Sequence, residues 1–147
     1  MRILSRIKLP AKLENLERLI EFVSASANEQ GIDRKRIVEI EISTEEALVN
    51  IFNYAYQNTD GDVSVVCKSD DNDKFIIEIE DSGIPFDLLS LKEPDTNLDI
   101  SERKIGGLGI FLIRKLMDDI QYRREDDRNV LTLVVSKSHI NENNPEN

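Results

Sequence analysis

Hydrophobic positions change period several times along the chain, and each change marks an element. Residues 2–9 alternate, with Ile3, Ile7 and Leu9 on one side and Arg6 and Lys8 on the other. That pattern predicts a strand with one buried face, ended by Pro10. Over 11–29 the apolar residues fall at Leu13, Leu16, Leu19 with Ile20, Val23 and Ala27, one stripe of a helix that Gly31 stops. Asp33 can cap the next helix, 34–57, whose buried stripe is Ile37, Ile40, Thr44, Ala47 with Leu48, Ile51 and Ala55. The turn Asn58-Thr59-Asp60-Gly61 ends it, and 62–68 and 74–81 read as strands joined by Ser69-Asp70-Asp71-Asn72-Asp73.

Residues 82–105 break the pattern. They hold two of the four prolines and many acids, with little periodicity. A stretch this long inside a compact domain is uncommon and is often a functional lid, although a plain insertion has the same composition. Ile110-Phe111, Ile113 and Leu116-Met117 then predict a short amphipathic helix, and 119–125 with 128–136 a closing hairpin. The polar tail, 137–147, is expected to be disordered. The order β-α-α-β-β-lid-α-β-β clusters its strands, which is not a Rossmann βαβ series. It points to an α+β fold, a two-layer sandwich with helices packed on one face of a mixed, mainly antiparallel sheet.

Composition narrows the chemistry. A chain of 147 residues suits one domain and can bury a core without disulfides or metals. No apolar run approaches the ~18 residues of a membrane span, and the first ten residues do not resemble a signal peptide. The single cysteine, Cys67, follows Val65-Val66 in a strand-like run and is expected to be a buried thiol. With one histidine, His139, in the tail, zinc sites and Cys/His or Ser/His/Asp catalysis are disfavoured. A net charge of −10 and the absence of Trp argue against nucleic acid. A reducing, cytoplasmic setting is expected.

Three constellations carry chemistry. Glu46 and Asn50 are four apart on the second helix, so they share a face. An Asn oxygen can ligate Mg²⁺, and a neighbouring carboxylate can act as general base. The same pair, with Asn53 and Glu39 beyond it, also fits an ordinary solvated face. Asp81-Ser82-Gly83-Ile84-Pro85-Phe86 follows a strand directly. A carboxylate there can accept from the exocyclic amine of adenine, and Gly83 permits a tight path beside a base. A plain turn reads the same way. Gly106-Gly107-Leu108-Gly109 precedes a helix, where backbone amides and the helix N-terminus favour phosphate. It is neither a G-x-G-x-x-G pattern nor a P-loop, and a lid hinge would also use such glycines.

In combination and order, these motifs resemble the GHKL (Bergerat-fold) ATPases, and within them the bacterial anti-sigma-factor serine-protein kinases. The resemblance is carried by Glu46-Ala-Leu-Val-Asn50, Asp81-Ser-Gly-Ile-Pro-Phe86 and Ile105-Gly-Gly-Leu-Gly-Ile110, and extends to Leu116-Met-Asp-Asp119 and Arg128-Asn-Val-Leu-Thr-Leu133. It implies a kinase domain over 1–136 with an ATP lid at about 86–105. It implies that Asn50 holds Mg²⁺, Glu46 is the general base, Asp81 reads adenine and Gly83 shapes its pocket. Gly106, Gly107, Leu108 and Gly109 would wrap the phosphates of ATP, with Arg103 or Lys104 neutralising charge and Asn53 assisting. Many such relatives carry a Gly-Thr pair whose threonine helps bind adenine, and that place here reads Arg128-Asn129. Some characterised kinases of the family carry an arginine deeper in the first helix, and Arg18 stands near that place in shifted register.

The implied partners are a sigma factor and a STAS-type antagonist phosphorylated on serine, meeting a homodimer, with no direct nucleic acid or membrane contact. The alternative is a non-catalytic nucleotide-binding module that sequesters a regulatory protein. Glu46 separates the two, because a binder needs no base. A histidine kinase would need a phospho-acceptor histidine on a dimerisation helix, and a topoisomerase or chaperone ATPase a further domain.

Overall fold

The computed structural model describes residues 1–57, 59–90 and 109–138. Strand β1 (Arg2–Pro10) leads through a short 3-10 turn into helices α1 (Leu16–Glu29) and α2 (Arg34–Tyr54). Strands β2 (Asp62–Ser69) and β3 (Lys74–Asp81) follow, then a 3-10 turn (Leu88–Ser90), helix α3 (Gly109–Leu116) and strands β4 (Asp119–Glu125) and β5 (Arg128–Ser136). The sheet order is β1-β2-β3-β5-β4. All of these pairings are antiparallel, so among the described residues no strand supplies a parallel component to the mainly antiparallel sheet expected.

The elements follow from their residues. Phe75, Ile77 and Ile79 of β3 are fully buried together with Val63, Val65 and Cys67 of β2 and Leu131, Leu133 and Val135 of β5. They pack against Leu19, Val23 and Ala27 of α1, Ile37, Ile40, Leu48 and Ile51 of α2, and Ile110 and Ile113 of α3. Asp33 caps α2 by accepting from the Arg36 amide at 2.8 Å, the role its position predicts. Cys67 is buried as expected, and burial pushes its thiol pKa up despite nearby Ser26 and Ser5.

Two burial expectations fail. Leu13 is exposed and lies in the 3-10 turn ahead of α1, off its buried stripe. Ile3 is 50% exposed and does not share the buried side of Ile7 and Leu9. The β1–β2 register shifts between Ile3 and Ser5, and such an irregularity transfers the residues before it to the opposite face. Leu4 packs against the core instead.

Arg36 joins the helical layer to the sheet. Its side chain is 6% exposed and reaches three partners: Glu39, Asp118 at 3.1 Å and the carbonyl of Leu116. A cation at the last carbonyls of α3 also complements the helix dipole. Asp118 in turn accepts from the Ser136 amide at 2.6 Å. The first turn of α2 is therefore tied to the last turn of α3. Helices α2 and α3 also pack directly on one another.

Candidate functional site

Helix α2 holds the first part of the site. Glu46 is half-buried, and Asn50 is fully buried, so the pair does not form a solvated face. Asn53, one turn further, is exposed as such a face would be. The Asn50 amide donates from Nδ2 to the Glu46 carbonyl at 2.7 Å. A carbonyl only accepts, so this contact fixes the amide and turns Oδ1 the other way. Oδ1 is buried with no hydrogen-bond partner among the described residues. An orphaned buried acceptor of this kind costs about 1–3 kcal/mol. A hard cation that takes oxygen ligands would satisfy it, so Asn50 fits the Mg²⁺ expected there. Burial, and secondarily the charge of Glu45, raises the Glu46 pKa above 4.5, which makes its carboxylate a stronger base than an exposed one.

The second part lies at the end of β3. The inward row Phe75, Ile77, Ile79 continues to Asp81, so period-two alternation carries a carboxylate into the core-facing layer, 4% exposed. Its Oδ1 accepts from Asn129 Nδ2 at 2.8 Å and from the Gly83 amide at 2.9 Å. Among the described residues no hydrogen bond reaches Oδ2, which leaves an acceptor for a ligand amine. Burial raises the Asp81 pKa above 3.8, while the hydrogen bonds from Asn129 and Gly83 and the charge of Arg124 oppose that rise.

Gly83 answers a packing demand. A Cβ there would lie 2.2 Å from the carbonyl oxygen of Ala55, at the end of α2. The Ile84 amide donates to that same oxygen at 3.0 Å. The Asp-Ser-Gly turn is thereby clamped to the helix that carries Asn50. Tyr56 reinforces the clamp, since its hydroxyl donates to the Asp62 carbonyl and accepts from the Ser82 amide, each at 2.7 Å.

Ile51, Ile79, Phe86, Leu88, Tyr122 and Leu131 close around Asp81 and Asn129, leaving about 10 Å³ of room. That is about enough for one water molecule. A purine does not fit this space as it stands, and Asp81 also lines an open pocket of about 370 Å³ with Tyr56, Ser82 and Arg128. Phe86 stacks on Tyr54 with ring centroids 5.1 Å apart, and Arg114 of α3 donates to the Leu89 carbonyl at 3.0 Å. These contacts hold the start of the expected lid over the pocket.

Arg103, Lys104, Gly106, Gly107 and Leu108, and most of the expected lid at 86–105, lie outside the described residues, as do His139 and most of the tail. Gly109 opens α3. The residue that motif reasoning undervalued is Asn129. In the sequence it looked like a departure from a Gly-Thr pair, yet it touches Asp81, Ile84, Phe86, Tyr122 and Arg124. The signal was available: a polar residue among Val130, Leu131 and Leu133, in the strand that closes the hairpin.

Comparison with known proteins places this geometry. The family described as histidine kinase-like ATPase domain matches residues 9–135. The serine-protein kinase RsbW of Bacillus cereus (strain G9842) is 32% identical over 145 residues, covering 95% of this chain and 90% of that protein. The serine-protein kinase RsbW of Bacillus thuringiensis (strain Al Hakam) matches with the same identity and coverage. A solved histidine kinase domain, from the Erythrobacter litoralis EL346 blue-light activated histidine kinase, aligns with a TM-score of 0.49 at 14% identity, over 83% of this chain and 59% of that one.

Proposed function

This chain belongs to the histidine kinase-like ATPase domain family, and from that premise we propose that it is an ATP-dependent serine-protein kinase acting as an anti-sigma factor. Relatives named serine-protein kinase match nearly the whole chain, which supports the activity. The structural observation that carries the site is the buried Oδ1 of Asn50, without a partner among the described residues and one helical turn from Glu46.

The geometry at Asn50, Glu46 and Asp81 supports the following roles. Asp81 accepts from the adenine amine through Oδ2 while Oδ1 stays held by Asn129 and Gly83. Asn50 Oδ1 would hold Mg²⁺, and Asn53 would help position phosphate or metal. Bound Mg-ATP supplies the transferred phosphoryl group and the charge neutralisation that phosphoryl transfer needs. Glu46 receives the proton of the attacking serine hydroxyl, and its raised pKa suits that task. Gly106, Gly107, Leu108 and Gly109 would lend backbone amides to the phosphates beside the N-terminus of α3, and Arg103 or Lys104 would add positive charge.

Residues 1–136 form the kinase domain, with the lid at about 86–105. The chain acts in the cytoplasm as a homodimer, and no helix among the described residues is long and apolar enough to cross a membrane. Its partners are a sigma factor and a STAS-domain antagonist whose serine is the acceptor. The antagonist must dock beside the lid for its serine to reach Glu46, so it senses the nucleotide, since coupling requires differential contact with the two states. Phosphorylation adds negative charge, which an acidic chain of net charge −10 repels.

The test is to measure antagonist affinity with ATP, with ADP and without nucleotide, using plain and phosphoserine-mimicking antagonist. The switch predicts that affinity differs among these states and falls with the mimic. Equal affinities throughout would remove the partner switch while leaving nucleotide binding to be judged separately.

A further inference from the structure

We propose that Asn129 is the residue that positions Asp81 for purine recognition, by donating to one carboxylate oxygen and so reserving the other for the amine of adenine. This rests on the reading of Asp81 as the adenine acceptor and adds a residue to it.

Asn129 and Asp81 sit opposite one another in the β3–β5 register. Asn129 is 4% exposed, and its amide is saturated. Nδ2 donates to Asp81 Oδ1 and to the Ile84 carbonyl, both at 2.8 Å. Oδ1 accepts from the Tyr122 hydroxyl at 2.6 Å, and from the Phe86 amide and Arg124 Nη1 at 3.2 Å each. Three donors face one end and two acceptors the other, so the amide has a single satisfied orientation. No other small side chain supplies that set. Aspartate lacks the donors, alanine lacks everything, and threonine has one hydroxyl proton for two acceptors.

The consequence falls on Asp81. A carboxylate held by one donor can rotate and present either oxygen. Held at Oδ1 by both Asn129 and Gly83, it presents Oδ2 in one direction. Arg124 completes the arrangement by donating to Asn129 and to the Gly83 carbonyl at 2.9 Å, binding the turn to β4. The other ionisable groups that interact with this carboxylate are Tyr56 after α2 and Tyr122 of β4.

The inference is tested on the full chain by ATP titrations of Asn129→Asp, Asn129→Thr and Asn129→Val beside the parent, from pH 5.5 to 8.5. Two facing carboxylates cannot both ionise cheaply, so in Asn129→Asp the pair keeps one proton at acidic pH, which restores a donor toward Asp81. Loss of a hydrogen bond to a charged group weakens binding by about 10- to 100-fold. Asn129→Asp should show that deficit at pH 8.5 and recover most of it, relative to the parent at each pH, by pH 5.5. A deficit that is flat with pH would overturn the inference.

The Thr and Val variants are nearly isosteric and differ in a donor. Thr should bind ATP about tenfold or more tightly than Val, and equal affinities would overturn the inference. A carbon NMR titration of the Asp81 carboxyl without nucleotide gives a separate readout. Asn129→Val should move its midpoint to higher pH, and an unmoved midpoint contradicts the proposal. If the parent binds no ATP, the adenine reading of Asp81 falls and this inference with it. If the parent binds ATP and these variants behave alike, the inference alone falls.

Discussion

Replacing Asp81 by Asn separates recognition from stability. Asn129 Nδ2 and the Gly83 amide both donate to Oδ1 of Asp81, so the new amide must keep its oxygen on that side. Its NH₂ then takes the place of Oδ2 and faces the adenine amine, donor against donor. The opposite orientation would set NH₂ against the two protein donors. Binding loses a hydrogen bond to a charged acceptor, about 1.5–3 kcal/mol, and leaves an unsatisfied donor, about 1–3 kcal/mol more. The sum is a loss of roughly 10²–10⁴ in ATP affinity. A 6-oxopurine offers an acceptor to that NH₂, so the variant should bind ITP at least as well as ATP.

Stability moves the other way. Burial holds the folded-state pKa of Asp81 above its ordinary 3.8, so the stability linked to this group is fully present below 3.8 and is lost as pH rises through the folded pKa. At neutral pH the ionised carboxylate costs the fold, and Asp81→Asn should melt no lower than the parent. That advantage should vanish below pH 3.8, where the carboxyl is protonated in both states. Calorimetric titration with ATP and ITP, and thermal unfolding across pH, are the assays. ATP affinity within threefold of the parent would refute the assignment of Oδ2.

Phe86→Ala removes the stack on Tyr54 that closes the pocket. Such a stack is worth about 0.5–1.5 kcal/mol, so ATP should bind a few-fold more tightly, and weaker binding in calorimetry would show that Phe86 packs on the base instead. Gly83→Ala forces a Cβ to 2.2 Å from a backbone oxygen. It should destabilise the protein by at least about 1–3 kcal/mol, and an unchanged denaturation midpoint would contradict the clamp to α2. Because Glu46 must be ionised to act as base and its pKa lies above 4.5, phosphotransfer at saturating ATP should fall on acidification above that value. A pH–rate profile flat down to pH 4.5 would remove Glu46 from that role.

The fold was largely legible because its periods are clean. The alternation of β3 and the α2 stripe gave the elements to within a few residues, and Asp33 was visible as a cap. The break in β1 register was not legible, since Ile3 keeps the parity of Ile7 and Leu9 in sequence and only the pairing with β2 displaces it. Within the site, spacing put Glu46 and Asn50 on one face but left open whether that face was wet. Tertiary packing buries Asn50 and leaves Asn53 exposed. Asn129 was legible only as an odd residue, because its five partners are distant along the chain or across a hairpin. Gly83 read as a residue beside a base, while its nearest neighbour is Ala55 of the preceding helix end.

The claim that most needs direct measurement is phosphoryl transfer to serine. The purified chain is incubated with Mg-ATP and a STAS-domain antagonist, and the antagonist is analysed by mass spectrometry over time, beside Glu46→Gln. The account predicts one phosphoserine on the antagonist made by the parent, with transfer slower by about 10²–10⁴ in the variant while ATP affinity is retained. ATP binding with no phosphoserine, or equal rates from parent and variant, would contradict it.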